Sequence, residues 1–355
     1  MSSISRAFGP DLRGALLSDR YRLIEFVGSG GSGNVYAAED QRLRRRVAVK
    51  VIHPEYARRE EQRLRIRQEA LLGAQISHTN VAQILDYGEE VDTRGELLPF
   101  IVMPLLRGRT LREVILDGAM RWQAAGLWTH QLLTGLAALH DHGVLHRDIK
   151  LDNCILVPES GAEVLKILDL GLAKATRDEL LSRRPASTAG MVIGSLPYLS
   201  PEQALGEAVD ERSDLYAAGV VLFELLTRRT PFVGSDYQVL SGHVEKVPPL
   251  PSVLAPSAGI PAVLEEVTLR ALTKKPAERY RSAEDFDTAL IEALAQAGVD
   301  VGQSPTFAGC CEAQASLAAW TCFDYSRARA KAERASRLNR AWSPLKLLME
   351  LTPEE

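Results

Sequence analysis

The chain has 355 residues, with 42 Lys and Arg against 46 Asp and Glu, a net formal charge of −4 and 46% hydrophobic residues. That length allows two or three domains or one large enzyme fold, and it can bury a core without disulfides or metals. The slight acidity speaks against a protein whose main work is gripping nucleic acid, and 25% charged residues speaks against wholesale disorder.

In chain order, residues 1–20 are mixed and contain Gly and Pro, and they are expected to form a loose N-terminal extension without the apolar core of a secretory signal. YRLIEFV from Tyr21, NVYAAED from Asn34, RRVAVKVI from Arg45 and LPFIVMP from Leu98 alternate or run apolar as strands do. Between them, Arg58 to Ile76 has helical spacing, with Leu64, Ala70, Leu71 and Leu72 as its apolar positions. Beyond Leu106 helices dominate: Trp122–His142, Asp210–Leu226, Pro261–Thr273 and Ala283–Ala295. Trp122 and Trp128 are expected to pack in the core. A strand-rich half followed by a helix-rich half predicts a two-lobed α+β protein.

The longest hydrophobic run, Tyr216 to Leu226, contains Gly219 and Glu224 and is too short for a membrane span, so it reads as a buried helix. Four cysteines, Cys154, Cys310, Cys311 and Cys322, are too few for a disulfide scaffold and point to a reducing, cytoplasmic setting. Cys154 is expected to pack as a small hydrophobe. The last three lack the fourth ligand that a structural zinc site needs.

Five clusters carry chemistry. Gly28-Ser-Gly30-Gly31-Ser-Gly33-Asn-Val35 lies between two predicted strands. A dinucleotide fingerprint would open a helix, and a P-loop would place Lys after the last glycine, where Asn34 stands. A glycine hairpin can instead lie over phosphates, because missing Cβ atoms let backbone approach closely. Val47-Ala-Val-Lys50 puts a lysine in an apolar strand, which is costly unless paired, and Glu69 on the next helix is its natural partner. His146-Arg147-Asp148-Ile-Lys150-Leu-Asp-Asn153 packs many polar groups behind an apolar helix. Asp169-Leu170-Gly171 follows the strand KIL. Ser200-Pro201-Glu202 precedes Asp214, which opens a hydrophobic helix, and Arg279 follows later.

Taken together and in this order, these motifs resemble the eukaryotic-like serine/threonine protein kinases, in particular their bacterial members, over about residues 21–296. The resemblance implies a two-lobed α+β kinase fold: an N-lobe over 21–105, a C-lobe over 106–296, and a linker with a helical tail over 297–355. It implies ATP as phosphoryl donor with Mg²⁺, for which Mn²⁺ can stand in, and Ser/Thr hydroxyls of proteins as acceptors.

By that resemblance, Gly28, Gly30 and Gly33 cover the phosphates. Lys50, held by Glu69, contacts the α and β phosphates. Val35 and Ala48 form the roof of the adenine pocket and Ile155 its floor. Met103 precedes the hinge of Pro104, Leu105 and Leu106. Pro104 has no N–H, but the first hinge residue supplies only a carbonyl, and the N–H comes from Leu106. Asp169 and Asn153 hold the metal. Asp148 receives or orients the substrate hydroxyl, and Lys150 neutralises the γ-phosphate.

Arg147 is expected to bind a phosphorylated activation loop, with Ser187 and Thr188 as autophosphorylation sites and Thr176 and Ser182 behind them. Ser195 lies beside the acceptor, and Glu202 pairs with Arg279. His78, His140, His142 and His146 read as structural residues. Gly73 stands where relatives carry an apolar side chain, which predicts a loosely docked helix and a mobile Glu69.

Residues 297–355 fall outside the resemblance. Arg327, Arg329, Lys331, Arg334, Arg337 and Arg340 against Glu333 give a basic helical stretch leading to a partner or a missing downstream domain. No nucleic acid partner is expected, and a dimer is the natural arrangement for autophosphorylation in trans. The alternative is a pseudokinase acting as a nucleotide-binding or docking module; the presence of Lys50, Glu69, Asp148, Asn153 and Asp169 favours the active enzyme.

Overall fold

The computed structural model describes residues 12–91, 95, 97–117, 121–159, 162–169 and 196–299. Leu170, Gly171, Thr176, Ser182, Ser187, Thr188, Ser195, the three C-terminal cysteines and the basic stretch 325–340 lie outside the described residues.

The chain divides into two compact units. Of the described residues, the first comprises 12–76, 83–91, 95 and 97–106, and the second 77–82, 107–117, 121–159, 162–169 and 196–299. In the first, six strands form an antiparallel sheet in the order β1-β2-β3-β4-β6-β5. They are β1 (Leu16–Leu17), β2 (Tyr21–Gly30), β3 (Gly33–Asp40), β4 (Arg45–Ile52), β5 (Asp86–Val91) and β6 (Leu97–Pro104). The sheet begins ahead of Tyr21, inside the stretch read as a loose extension: Leu16 pairs with Arg22 and Leu17 with Tyr21.

Register sorts the side chains. Val35 lies opposite Lys50 and Lys50 opposite Ile101; Ala37 lies opposite Ala48 and Ala48 opposite Met103. Cross-strand partners and every second residue share a face. Tyr36, Ala38, Val47, Val49, Val51, Phe100 and Val102 therefore point the other way, into a core completed by Leu17, Tyr21, Leu23 and Leu98.

Helix α1 (Glu60–Ala74) belongs to this unit. Its buried residues are Gln62, Ile66, Ala70 and Gly73, whereas Leu64, Leu71 and Leu72 are exposed. Three of the four positions chosen from sequence thus lie off the buried face. Spacings of four, four and three residues put the small and polar side chains on one stripe, and helical periodicity decides over hydrophobicity.

The second unit carries a three-stranded sheet, β7 (Arg109–Thr110), β8 (Cys154–Glu159) and β9 (Ala162–Ile167), and the helices. These are α2 (Leu111–Leu116), α3 (Trp122–His140), α4 (Pro201–Leu205), α5 (Glu211–Thr227), α6 (Asp236–Glu245), α7 (Pro251–Leu254), α8 (Ala262–Ala271) and α9 (Ala283–Gln296). Helix α5 is buried from Ser213 through Thr227, so it is a core helix covered on all sides. Gly219 lets it approach α8, where an added Cβ would meet Ala271 at 2.7 Å. Gly126 on α3 leaves room for Leu294 of α9 in the same way.

The inner face of α3 is Ala125, Thr129, Leu132, Leu133, Leu136 and Leu139, while Trp122 and Trp128 are only half-buried at its rim. Among the described residues, no helix is long and apolar enough to cross a membrane.

Candidate active site

The first unit presents two groups of predicted residues. Val35, Ala48, Lys50 and Met103 share one face of the sheet, opposite the core. Lys50 is buried, and Glu69 is half-buried on α1 beside Ala70. Pro104 ends β6 opposite Val47, a strand end where a missing N–H interrupts no further ladder. Leu106 follows, half-buried.

The second group is the glycine hairpin, with Gly28 opposite Val35 and Gly30 opposite Gly33. Its glycines are unlike one another. A Cβ on Gly33 would meet the Val51 carbonyl oxygen at 2.3 Å, so glycine there lets β3 and β4 close. At Gly28 a Cβ would meet nothing within 4 Å, and at Gly30 only the Gly33 oxygen at 3.8 Å. The fold leaves open space beside these two backbones.

The second unit holds the polar loop. Leaving α3, the chain buries His146, Ile149, Leu151 and Asn153 and turns Asp148 and Lys150 partly outward. Lys150 Nζ donates to Asp148 Oδ2 at 3.0 Å. Asn153 Nδ2 donates to the Asp148 carbonyl at 2.8 Å and to its Oδ2 at 3.2 Å. The carboxylate is thus oriented from two sides.

Asp214 sets the loop's path. Its carboxylate accepts the backbone N–H of His146 at 2.8 Å and of Arg147 at 2.7 Å, and meets His140 Nε2 at 3.0 Å. Two successive N–H groups cradle one anion, which holds Arg147 at a left-handed φ of 61°. Burial opposes the charge of Asp214, but the bonds from His140 and from the His146 backbone hold its carboxyl below the usual range. The sequence drew attention to Asp214 without revealing this role, because its partners are main-chain groups 67 and 68 residues away.

His146 ties this loop to Asp169. The Asp148 N–H donates to Nδ1, so the ring proton sits on Nε2 and donates to the Leu168 carbonyl at 2.8 Å. Burial pushes this imidazole's pKa down, as befits a neutral structural ring. The Leu168 N–H donates to the Asn153 carbonyl at 2.8 Å, and Cys154 lies opposite Ile167 across β8 and β9. Asp169, at a left-handed φ of 54°, is thereby brought to the same sheet end as Asn153.

Ile155 is buried on β8 between Thr110 and Lys166. Cys154 is fully buried, and burial pushes its thiol up to about 12. Arg147 Nε is buried without a hydrogen-bond partner among the described residues.

A buried ion pair closes the site's support. Arg279 Nη1 and Nη2 each meet Glu202 at 2.8 Å, and Ser213 donates to the same carboxylate. Burial works against the Glu202 charge, and the Arg279 and Ser213 bonds outweigh it, lowering its pKa. Gln203, one residue on, donates to the Arg147 carbonyl at 3.4 Å. The histidines read as structural have such partners: His78 Nδ1 accepts the Asn80 N–H at 3.1 Å, and His142 Nδ1 lies 2.8 Å from the Ala138 carbonyl.

The family described as "Protein kinase domain" matches residues 21–284. A probable serine/threonine-protein kinase PknB of Bifidobacterium longum is 39% identical over 283 residues, 78% of this chain and 40% of that protein. Serine/threonine-protein kinase PknB of Mycobacterium leprae is 39% identical over 291 residues, 81% of this chain and 44% of that protein. The aligned part of the chain thus spans less than half the length of these relatives. Among solved structures, the Mycobacterium tuberculosis PknI kinase domain matches with a TM-score of 0.61 and 24% identity, over 80% of this chain and 100% of that one. This last likeness shows the fold.

Proposed function

We propose that this chain, which belongs to the protein kinase domain family, transfers the γ-phosphate of ATP to Ser and Thr hydroxyls of proteins. The observation that carries the reading is the Asp148 carboxylate, gripped by Lys150 and Asn153 in a loop whose backbone is clamped on Asp214. Phosphoryl transfer asks for positioning and charge neutralisation more than covalent chemistry. Asp148 orients the acceptor hydroxyl and receives its proton. Lys150 meets the charge that develops on the γ-phosphate. Lys50, steadied by Glu69, binds the α and β phosphates under Gly28, Gly30 and Gly33. Val35, Ala48 and Met103 offer the adenine an apolar face beside the main-chain groups of Pro104 and Leu106, and Ile155 is a further apolar contact for it.

Asn153 and Asp169 fit a Mg²⁺ site. With Nδ2 turned to Asp148, the Asn153 amide oxygen faces away from it. One amide oxygen and one carboxylate are oxygen donors that would suit this hard cation. The chemistry that bound Mg²⁺ supplies is neutralisation of the phosphates.

The buried Arg147 Nε supports a loop phosphate at Ser187 or Thr188, with Ser195 beside the acceptor. Autophosphorylation in trans would use a dimer. Glycine at Gly73 supports an α1 that docks with nucleotide, so residues 64–74 gain hydrogen-exchange protection with ATP. We assign 21–105 and 106–296 to the two lobes and a cytoplasmic setting to the enzyme, with 297–355 leading to a partner or further domain.

The test is label transfer from γ-labelled ATP with Mg²⁺ to a generic protein substrate. Asp148→Asn is expected to lower it by about 10²–10⁴-fold. Equal transfer by both proteins, or none by either, defeats the reading.

A further inference from the structure

The turn between β3 and β4 carries a concentration of charge that no part of the proposed reaction uses. Residues 41–46, Gln-Arg-Leu-Arg-Arg-Arg, are all exposed. Among the described residues, none of the side chains of Arg42, Arg44, Arg45 and Arg46 has an ion-pair or hydrogen-bond partner. They stand out in a chain whose net charge is −4.

The turn is stiff. Asp40 Oδ1 accepts the N–H of Arg42 at 3.1 Å and of Leu43 at 3.2 Å, and both Asp40 oxygens bind the Arg20 guanidinium, at 2.9 and 2.7 Å. The Gln41 N–H bonds the Arg20 carbonyl, and Arg44 sits at a left-handed φ of 50°. Asp40 is therefore neutralised from within the sheet and leaves the tip arginines unmatched. Glu39, exposed opposite Arg46, offsets only part of their charge.

We propose that this tip docks the protein peripherally on an anionic lipid surface. The arrangement of the arginines selects that partner. Arg45 and Arg46 are consecutive in a strand and point to opposite faces, Arg42 and Arg44 lie in the turn, and Leu43 is exposed between them. A segment lying along one face of the hairpin meets only part of the set. A planar layer met end-on meets all four, with Leu43 entering it. Guanidinium forks match headgroup phosphate oxygens two at a time. Each basic residue close to such a surface adds roughly fivefold to partitioning, so four compound to several hundredfold. The attachment is peripheral and weakens as salt rises.

The experiment is co-sedimentation of the full chain with vesicles of phosphatidylcholine alone and of phosphatidylcholine mixed with phosphatidylglycerol. Binding is expected to the mixed vesicles only and to fall with salt. The quadruple variant Arg42→Gln/Arg44→Gln/Arg45→Gln/Arg46→Gln is expected to lose about a hundredfold or more in partitioning, with thermal midpoint and phosphotransfer unchanged. The corresponding four-lysine variant keeps most of the binding, and Leu43→Ala loses a few-fold. Absence of wild-type binding to the mixed vesicles overturns the proposal, as does a quadruple variant that binds like wild type. Loss of all binding on neutralising the basic stretch 325–340, with the hairpin intact, also overturns it. So does capture of a soluble polyanionic peptide by the same arginines without vesicle binding.

Discussion

The polar loop from His146 to Asn153 and the glycine hairpin from Gly28 to Gly33 are held in opposite ways. The loop is fixed by partners remote in sequence: Asp214 under two backbone N–H groups, Leu168 on the His146 ring, and Ile149 and Leu151 buried beneath. The hairpin is held by its own ladder to β3; its far end is fixed by Gly33 packed against β4 and by the Ser32 carbonyl, which accepts the His53 N–H at 3.0 Å, whereas Gly28 and Gly30 stand beside open space. A buried polar network makes residue identity a matter of stability. Open space makes it a matter of ligand alone. Substitutions in the two regions should therefore separate folding from binding.

The sharpest break comes from Asp214→Ala. Two buried N–H groups and His140 lose their partner, and we expect about 3–5 kcal/mol of stability to go, with phosphotransfer lost alongside. Denaturant unfolding and label transfer measure both. A variant that unfolds like wild type would show that the loop does not depend on this carboxylate.

Next are the glycines. Gly33→Ala forces β3 away from the Val51 carbonyl and is expected to cost about 1–3 kcal/mol. Gly28→Ala and Gly30→Ala should leave the nucleotide-free thermal midpoint within about a degree, under ~0.5 kcal/mol, while raising the KM for ATP. If all three lower the midpoint alike, the hairpin is no more open than the loop.

Acid sharpens the picture of buried polar groups. His146 lies below the ordinary imidazole range, and His243 lies at about 3, through burial and then the nearby Lys274. Native pKa values below the unfolded value of about 6.5 mean that the unfolded chain takes up the protons first as pH falls. Stability is full above about pH 6.5 and declines below it, by up to ~1.4 kcal/mol per pH unit for each such ring. For His243 the decline runs to about pH 3. His243→Gln should flatten the slope measured by urea unfolding; an unchanged slope would count against a neutral buried His243.

The smallest effect belongs to α1. Leu71→Gln is expected to change stability by under ~0.5 kcal/mol, against about 2–5 for Ile66→Ala.

That last pair shows what could be read from residues alone. Long periodic segments such as α3 and α5 were legible because burial on one side, or all round, writes itself into spacing. The face of α1 was not, since Leu64 and Leu71 are as apolar as any core residue and only the packing decides. Strand β5, Asp-Tyr-Gly-Glu-Glu-Val, is too polar to announce itself, and it pairs because β6 offers an edge. Helix α6 went unread because its buried residues are only Val239, Gly242 and His243. In the loop, the chemistry of Asp148, Lys150 and Asn153 was visible as a cluster. The part played by Asp214 depends on main-chain groups, which leave no trace in side-chain identity.

Cys154 follows directly on Asn153, yet it is sealed inside β8 with its thiol pushed up to about 12. At cellular pH it remains almost wholly a thiol, out of reach of oxidants and electrophiles. An inhibitor built around a cysteine-seeking warhead would find no handle there. Nor would a burst of peroxide reach this sulfur, which leaves the polar loop blind to redox stress at the cysteine beside Asn153.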